Sequence, residues 1–193
     1  IRERTITPVE VAQSLLGRMD ALEPQLDAWV RVDRETVLAD AQQRQDELES
    51  GEATGPLHGV PIGIKDIYNI AGIPTTAGSK VYADYVPDET AVTIDLLQKA
   101  GAIMLGKTVT TEFACLDPSN TKNPWNPAHT PGGSSSGSGV AVATRMCPVG
   151  LGSQTGGSNN RPAAYNGVVG LKPTYGRISK YGMIPFSWSL DHV

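Results

Sequence analysis

Cysteine, histidine and long hydrophobic runs are all scarce in this chain, and each shortage removes a class of function. Two cysteines, Cys115 and Cys147, cannot build a disulfide framework, and no CxxC pair or Cys/His cluster has the spacing of a metal site. The default setting is then reducing and cytoplasmic. No segment reaches the ~20 apolar residues needed to span a bilayer, and the opening IRERTITP lacks the apolar stretch of a signal peptide. Ile1, with no Met before it, points to a chain that starts further upstream. A formal charge of −4 gives no basic footprint, which disfavours nucleic acid and anionic membrane as partners.

What is present fits one globular domain: 193 residues, 39% of them hydrophobic, are enough for a sizeable core. Charge is uneven along it. Residues 1–50 carry 17 of the 36 charged side chains, whereas 101–165 carry only Lys107, Glu112, Asp117, Lys122, Arg145 and Arg161. The first region reads as solvated helices and the second as interior.

Thr7-Pro8-Val9-Glu10 is a capping box with proline at the first helical position, and Val11, Leu15, Met19 and Leu22 follow at helical spacing until Pro24. A second, polar helix is predicted from Asp33 to Ser50, stopped by Gly51. HGVPIGIKDIYNI, residues 58–70, is continuous and β-branched, which suits a strand buried on both faces. Residues 90–100 read as a helix with Ala91, Ile94, Leu96 and Leu97 inward, and 102–105 as a short buried strand. A helix over 140–146 and strands at 149–151 and 168–171 complete an α/β reading.

Four features could carry chemistry. GAIMLGKT, residues 101–108, matches the phosphate-loop pattern, but its four middle residues, Ala-Ile-Met-Leu, read as a strand where exposed backbone is required. TPGGSSSGSGVAVA runs directly into an apolar helix, so it is a Gly-rich turn, structural or functional, and not a linker. His58, His129 and His192 lie in turns or near the terminus, in no setting that marks a base. Lys65 ends the apolar run GVPIGI, where desolvation would favour the neutral amine, although on the residues alone a strand-end lysine paired with Asp66 is the favoured reading.

In order along the chain stand GPLHGVPIGIKD, GIPTTAGSK, AGAIMLGKT, NPWNPAHTPGGSSSGSGVAVA, GLGSQTGGSNNRPAAYNGVVGLKPTYGRIS and SLDHV. This succession resembles the amidase signature family over nearly the whole chain. The resemblance implies a mixed β-sheet core sandwiched by helices, incomplete at the C-terminus, with an N-terminal helical region at 1–52 and part of the catalytic α/β domain at 53–193. It also implies a Ser-Ser-Lys triad: Lys65 as base, Ser134 as the bridging residue after a cis Gly133–Ser134 peptide, and Ser158 as nucleophile. The backbone N–H groups of Thr155, Gly156, Gly157 and Ser158 would form the oxyanion hole, with Ser135, Gln154 and Arg161 in support, while Ser136 and Ser138 read as turn residues. No metal or organic cofactor enters. The implied partner is a small-molecule amide substrate, and a homodimer of the full-length protein is compatible with it.

Two departures qualify the resemblance. The commonest form, SDTGGSIR, has Asp where this chain has Gln154 and Arg where it has Asn160; Gln154 and Arg161 together replace that pair in some branches. Asn159 and Asn160 stand where that branch has apolar residues, so they either disturb the packing beneath Ser158 or change which polar groups face it. The pattern also breaks off in mid-motif at SLDHV, which implies a fragment with marginal stability and low or no turnover. Within the family the alternative is the glutaminase subunit of a tRNA-dependent amidotransferase, against which Gln154 and TVTTEFA speak. Outside it, the alternatives are a silent scaffold and a nucleotide binder.

Overall fold

The computed structural model describes residues 1–52 and 55–193. The first helix, α1 (Pro8–Leu26), starts as the sequence dictates: Thr7 Oγ1 accepts from Glu10 N, and Glu10 Oε2 accepts from Thr7 N at 2.8 Å. It does not stop at Pro24. Proline in the last turn forfeits one hydrogen bond, and the helix continues to Leu26, where Asp27 turns left-handed at φ 52°. After a short strand that the sequence pattern does not announce, β1 (Trp29–Arg31), comes α2 (Arg34–Ser50), capped by Asp33 and closed by Gly51.

The next strand, β2 (Pro61–Lys65), is fully buried, but it occupies only the middle of the expected 58–70. Its end is set by a turn in which the N–H groups of Ile67 and Tyr68 both return to Lys65 O. The 90–100 helix is α3 (Val92–Lys99), with Ala91 and Ile94 inward; Leu96 is exposed, which corrects its expected direction. The strand begun at 102–105 runs longer, as β3 (Ile103–Thr108). Helix α4 (Ser136–Ala143) begins four residues before the expected start, so Ser136 and Ser138 are helical rather than turn residues. Strand β4 (Val149–Leu151) is where it was expected, and α5 (Asn160–Asn166) was not foreseen. Its Pro162 lies in the first turn, which tolerates proline, but its asparagines carry little helix signal. Residues 168–171 form no strand: Val169 is 97% exposed. An apolar run records hydrophobicity, and these residues find no strand partner among the described residues.

The four strands form one mixed sheet in the order β1-β3-β2-β4. β2 runs parallel to both β3 and β4, while β1 pairs antiparallel with β3. The expected boundary at 52/53 adjoins residues 53 and 54, which lie outside the described residues; β1, from the first segment, is nonetheless an edge of the sheet. One face packs α1, α2 and α4 around Leu16, Met19, Val37, Leu105 and Val140. A second cluster gathers Ile62, Ile64, Ile67, Tyr68 and Ile94 with Met183 and Val193 from the final segment. Among the described residues no helix is long and apolar enough to cross a membrane.

Two glycines set the spacing of these layers. Gly137 lets α4 approach the sheet, donating its N–H to Val109 O at 2.9 Å where a Cβ would collide with Ala28 O and Val109 N. At Gly106 a Cβ would lie 2.5 Å from Arg31 O, in the β1–β3 pairing. Its φ is unexceptional, so the penalty is steric. Gly106→Ala is expected to destabilise the intact protein by about 1–3 kcal/mol, measured by denaturant unfolding.

Candidate active site

Parallel pairing brings three strand ends to one edge of the sheet. The register places Lys65 opposite Thr108 and Ile64 opposite Leu151, so the residues after β4 arrive beside the Lys65 side chain. The carboxyl ends of parallel strands are where open α/β sheets collect ligands. Here that edge is filled by the two Gly/Ser runs.

Lys65 is completely buried. Its Nζ donates to Ser134 Oγ at 2.7 Å and to Ser153 Oγ at 2.9 Å, and so touches one serine from each run. Burial pulls its pKa down to about 7, opposed by the Asp191 carboxylate. The expected Lys65–Asp66 pair does not form. Adjacent residues at a strand end point to opposite faces, and Asp66 meets Lys107 instead, at 2.8 Å. The phosphate-loop lookalike is therefore a buried strand whose lysine already has a partner.

The first run turns through a cis Gly133–Ser134 peptide, and Ser134 O accepts from Thr111 N at 3.0 Å. Ser135 stitches the runs together: its N–H donates to Ser158 O at 3.3 Å, and its Oγ accepts from Ser153 N and donates to Ser153 O, both at 3.2 Å. A weaker bond reaches Asn159 Oδ1 at 3.4 Å. Ser138 Oγ bonds to Thr108 Oγ1 at 2.7 Å and to Leu151 O at 3.0 Å, which fastens α4 to β3 and β4.

The second run is shaped by Gln154. Its backbone exchanges two hydrogen bonds with His192, while its Oε1 accepts from Asn159 N at 3.0 Å and Asn160 N at 2.9 Å and its Nε2 donates to Gly156 O at 3.1 Å. The Thr155 hydroxyl donates to Asp191 Oδ1, and Asp191 Oδ2 accepts from Phe186 N and Ser187 N. The N–H groups flanking the loop are thereby satisfied. Those of Thr155, Gly156, Gly157 and Ser158 have no partner among the described residues. Ser158 itself is half-buried, and no hydrogen bond joins its hydroxyl to Ser134 among the described residues.

Arg161 is exposed, its guanidinium packed over the Gly157 position and without an ion pair among the described residues. Asn159 is half-buried and Asn160 exposed; the polar side chain of Asn159 is used, bonding to Ser135 and to Leu171 O. An apolar cleft of about 360 Å³ lies beside β4, lined in part by Ser135 and Asn159, but by neither Lys65, Ser134 nor Ser158. His58 bonds Arg44 O and His192 bonds Gln154 O, so both serve structure. Ser153 and Asp191 were missed from the sequence. Strand pairing between 62–64 and 149–151 would have found Ser153, since that register fixes which residues emerge beyond each strand end.

The same fold recurs in solved structures. Over all of this chain and 44% of the other, it superposes with a TM-score of 0.95 at 35% identity on a protein of a vestigial complex that bears on the origins of an s-triazine catabolic enzyme. The native peptide amidase of Stenotrophomonas maltophilia gives a TM-score of 0.91 at 39% identity, over 98% of this chain and 42% of its own. These neighbours define the class as an amidase α/β fold. Among curated relatives, a glutamyl-tRNA(Gln) amidotransferase subunit from Carboxydothermus hydrogenoformans is 44% identical over 199 residues, and this chain spans 41% of its length. The sequence pattern of the Amidase family matches residues 10–193, and the chain belongs to that family.

The loop geometry carries its own expectation. Gln154→Leu removes the acceptor shared by two N–H groups and should cost about 1–3 kcal/mol in the intact protein. Gln154→Glu keeps that acceptor but sets an oxygen against Gly156 O, so calorimetry should place it between Gln154→Leu and wild type.

Proposed function

We propose that the protein hydrolyses a carboxylic amide to a carboxylate and ammonia or an amine, with Ser158 as nucleophile and Ser134 and Lys65 as its proton relay. The observation that carries this reading is Lys65: a wholly buried lysine in a 2.7 Å hydrogen bond with a serine, its pKa pulled down to about 7 by burial.

In the neutral amine the Lys65–Ser134 bond reverses, Ser134 Oγ–H donating to the Nζ lone pair while an Nζ–H still donates to Ser153. As Ser158 Oγ attacks the amide carbonyl, its proton passes to Ser134 and that of Ser134 to Lys65. Carbonyl electrons move onto oxygen, and the unpaired N–H groups of residues 155–158 supply donors for that charge. One such donor contributes about 3–4 kcal/mol when it is in place beforehand. Collapse of the adduct breaks the C–N bond, the amine leaving with a proton returned through Ser134. Water, activated by the same relay, then releases the acyl group from Ser158. Gln154 acts on the loop and Ser135 on the junction of the two runs; Arg161 is placed to meet substrate at the rim.

The curated relatives favour a second reading. A 44% identical glutamyl-tRNA(Gln) amidotransferase component suggests that the amide is glutamine and that ammonia passes to a partner. Glutamine hydrolysis that requires added amidotransferase partner subunits would select it; hydrolysis of simple amides by the protein alone would select the first.

The pH dependence follows from the Lys65 pKa. Because the neutral amine is the base, kcat/KM should rise with pH through about 7 and level off above it. Lys65→Met should lower kcat by about 10²–10⁴-fold and stabilise the fold. Lys65 is protonated in the unfolded chain up to its ordinary pKa of 10.5 but loses its proton near 7 when folded. The full cost of burying the charge therefore applies below pH 7 and fades towards 10.5. The stability gain of Lys65→Met should shrink over the same interval, as followed by denaturant unfolding at each pH.

A further inference from the structure

Lys65 has a buried neighbour that the relay does not use. Lys107, at the end of β3, is 1% exposed, and its Nζ donates to Tyr68 O at 2.8 Å and to Thr75 Oγ1 at 2.9 Å. Asp66 Oδ1 stands 2.8 Å away as an ionic partner, outside good hydrogen-bond geometry. The other oxygen, Asp66 Oδ2, accepts from Thr76 N at 3.0 Å and Thr76 Oγ1 at 2.6 Å. The turn after Lys65 is thus pinned to β3 through both Asp66 and Tyr68.

Tyr68 carries the connection onward. Its N–H donates to Lys65 O at 3.2 Å, and its hydroxyl donates to Gly152 O at 2.6 Å. Gly152 immediately precedes Ser153, the second partner of the Lys65 amine. Lys107 therefore touches the backbone that presents Lys65, and reaches through one side chain to the loop that receives it. From this geometry we propose that Lys107 is a positioning residue for the amide hydrolysis, acting through Asp66 and Tyr68 to hold Lys65 between Ser134 and Ser153.

The pair also balances charge. Burial pulls the Lys107 pKa down and Asp66 pushes it back up. The groups around Lys65 and Lys107 are Asp66 and Tyr68 from the turn, Asp191 from the final segment and Arg31 from β1. Removing Lys107 takes away the contacts to Tyr68 O and Thr75 Oγ1 that fix the turn after Lys65, which loosens the burial of the Lys65 amine, favours the ammonium and disarms the base.

This inference rests on the amidase reading, so its test has one measurement that needs no turnover. In the intact protein, lysine Cε carbons are labelled with ¹³C and the Lys65 resonance is assigned by its loss in Lys65→Met. Its titration is followed beside kcat and KM for a simple amide. Lys107→Met is expected to raise the Lys65 midpoint by about one pH unit or more and to carry the acid limb of kcat/KM upward with it. At neutral pH it should lower kcat by about tenfold or more, with KM nearly unchanged. Asp66→Asn/Lys107→Met, which removes both charges but does not restore the contacts, should keep the raised midpoint. If Lys107→Met does not fold, Asp66→Asn serves alone, with a midpoint raised in the same direction and a lowered kcat. A Lys65 midpoint that stays put in every folded variant, with kcat falling only as the folded fraction falls, would overturn the role. Absence of hydrolysis in wild type would overturn the amidase reading, while the midpoints would still decide what Lys107 does to Lys65.

Discussion

An amine taken wholly out of water is the constraint about which the surrounding architecture is arranged. Lys65 has no exposed surface, and among the described residues its amine meets two serine hydroxyls and the field of Asp191. A fully charged lysine in that position would need a contacting carboxylate. Among the described residues it has none, because Asp66 points to the opposite face and meets Lys107. The outcome is a lysine whose pKa is pulled down to about 7, which is a liability for stability and the property a base requires.

The sheet converts that local chemistry into a site. Parallel pairing of β2 with β3 and β4 brings Lys65, Thr108 and the start of the second Gly/Ser run to one edge. Glycine lets α4 lie close enough for Ser134 and Ser138 to reach that edge, and Ser135 ties the first run to the second. Gln154 and Asp191 then draw side-chain and flanking backbone groups away from the 155–158 loop, leaving four successive N–H groups without internal partners among the described residues. Polar residues in these runs are thus an interlocked framework, with the composition of a linker and the burial of a core.

Much of this was legible beforehand, for identifiable reasons. The capping box at Thr7–Glu10 and the Gly51 stop are local signals, and both helices begin where those residues say. Burial of Lys65 followed from the apolar run before it. The grouping of Ser134, Ser135 and Ser158 with Lys65 came from resemblance alone, since no local rule joins two loops two dozen residues apart. What failed was non-local or neglected. Pairing Lys65 with Asp66 ignored strand alternation, which sends neighbours to opposite faces. Ser153 needed the β2–β4 register, and β1 at three residues was too short to announce itself. Residues 168–171 looked like a strand because they are apolar, yet a strand also needs a neighbour.

The central claim is that Ser158 is a nucleophile made reactive by Lys65 through Ser134. It is tested most directly by treating the intact protein with a serine-reactive fluorophosphonate and mapping the adduct by mass spectrometry, with Lys65→Met in parallel. The account predicts a single adduct, on Ser158, that is lost or greatly slowed in the variant. Labelling elsewhere, or labelling of Ser158 that proceeds unchanged without Lys65, would contradict it.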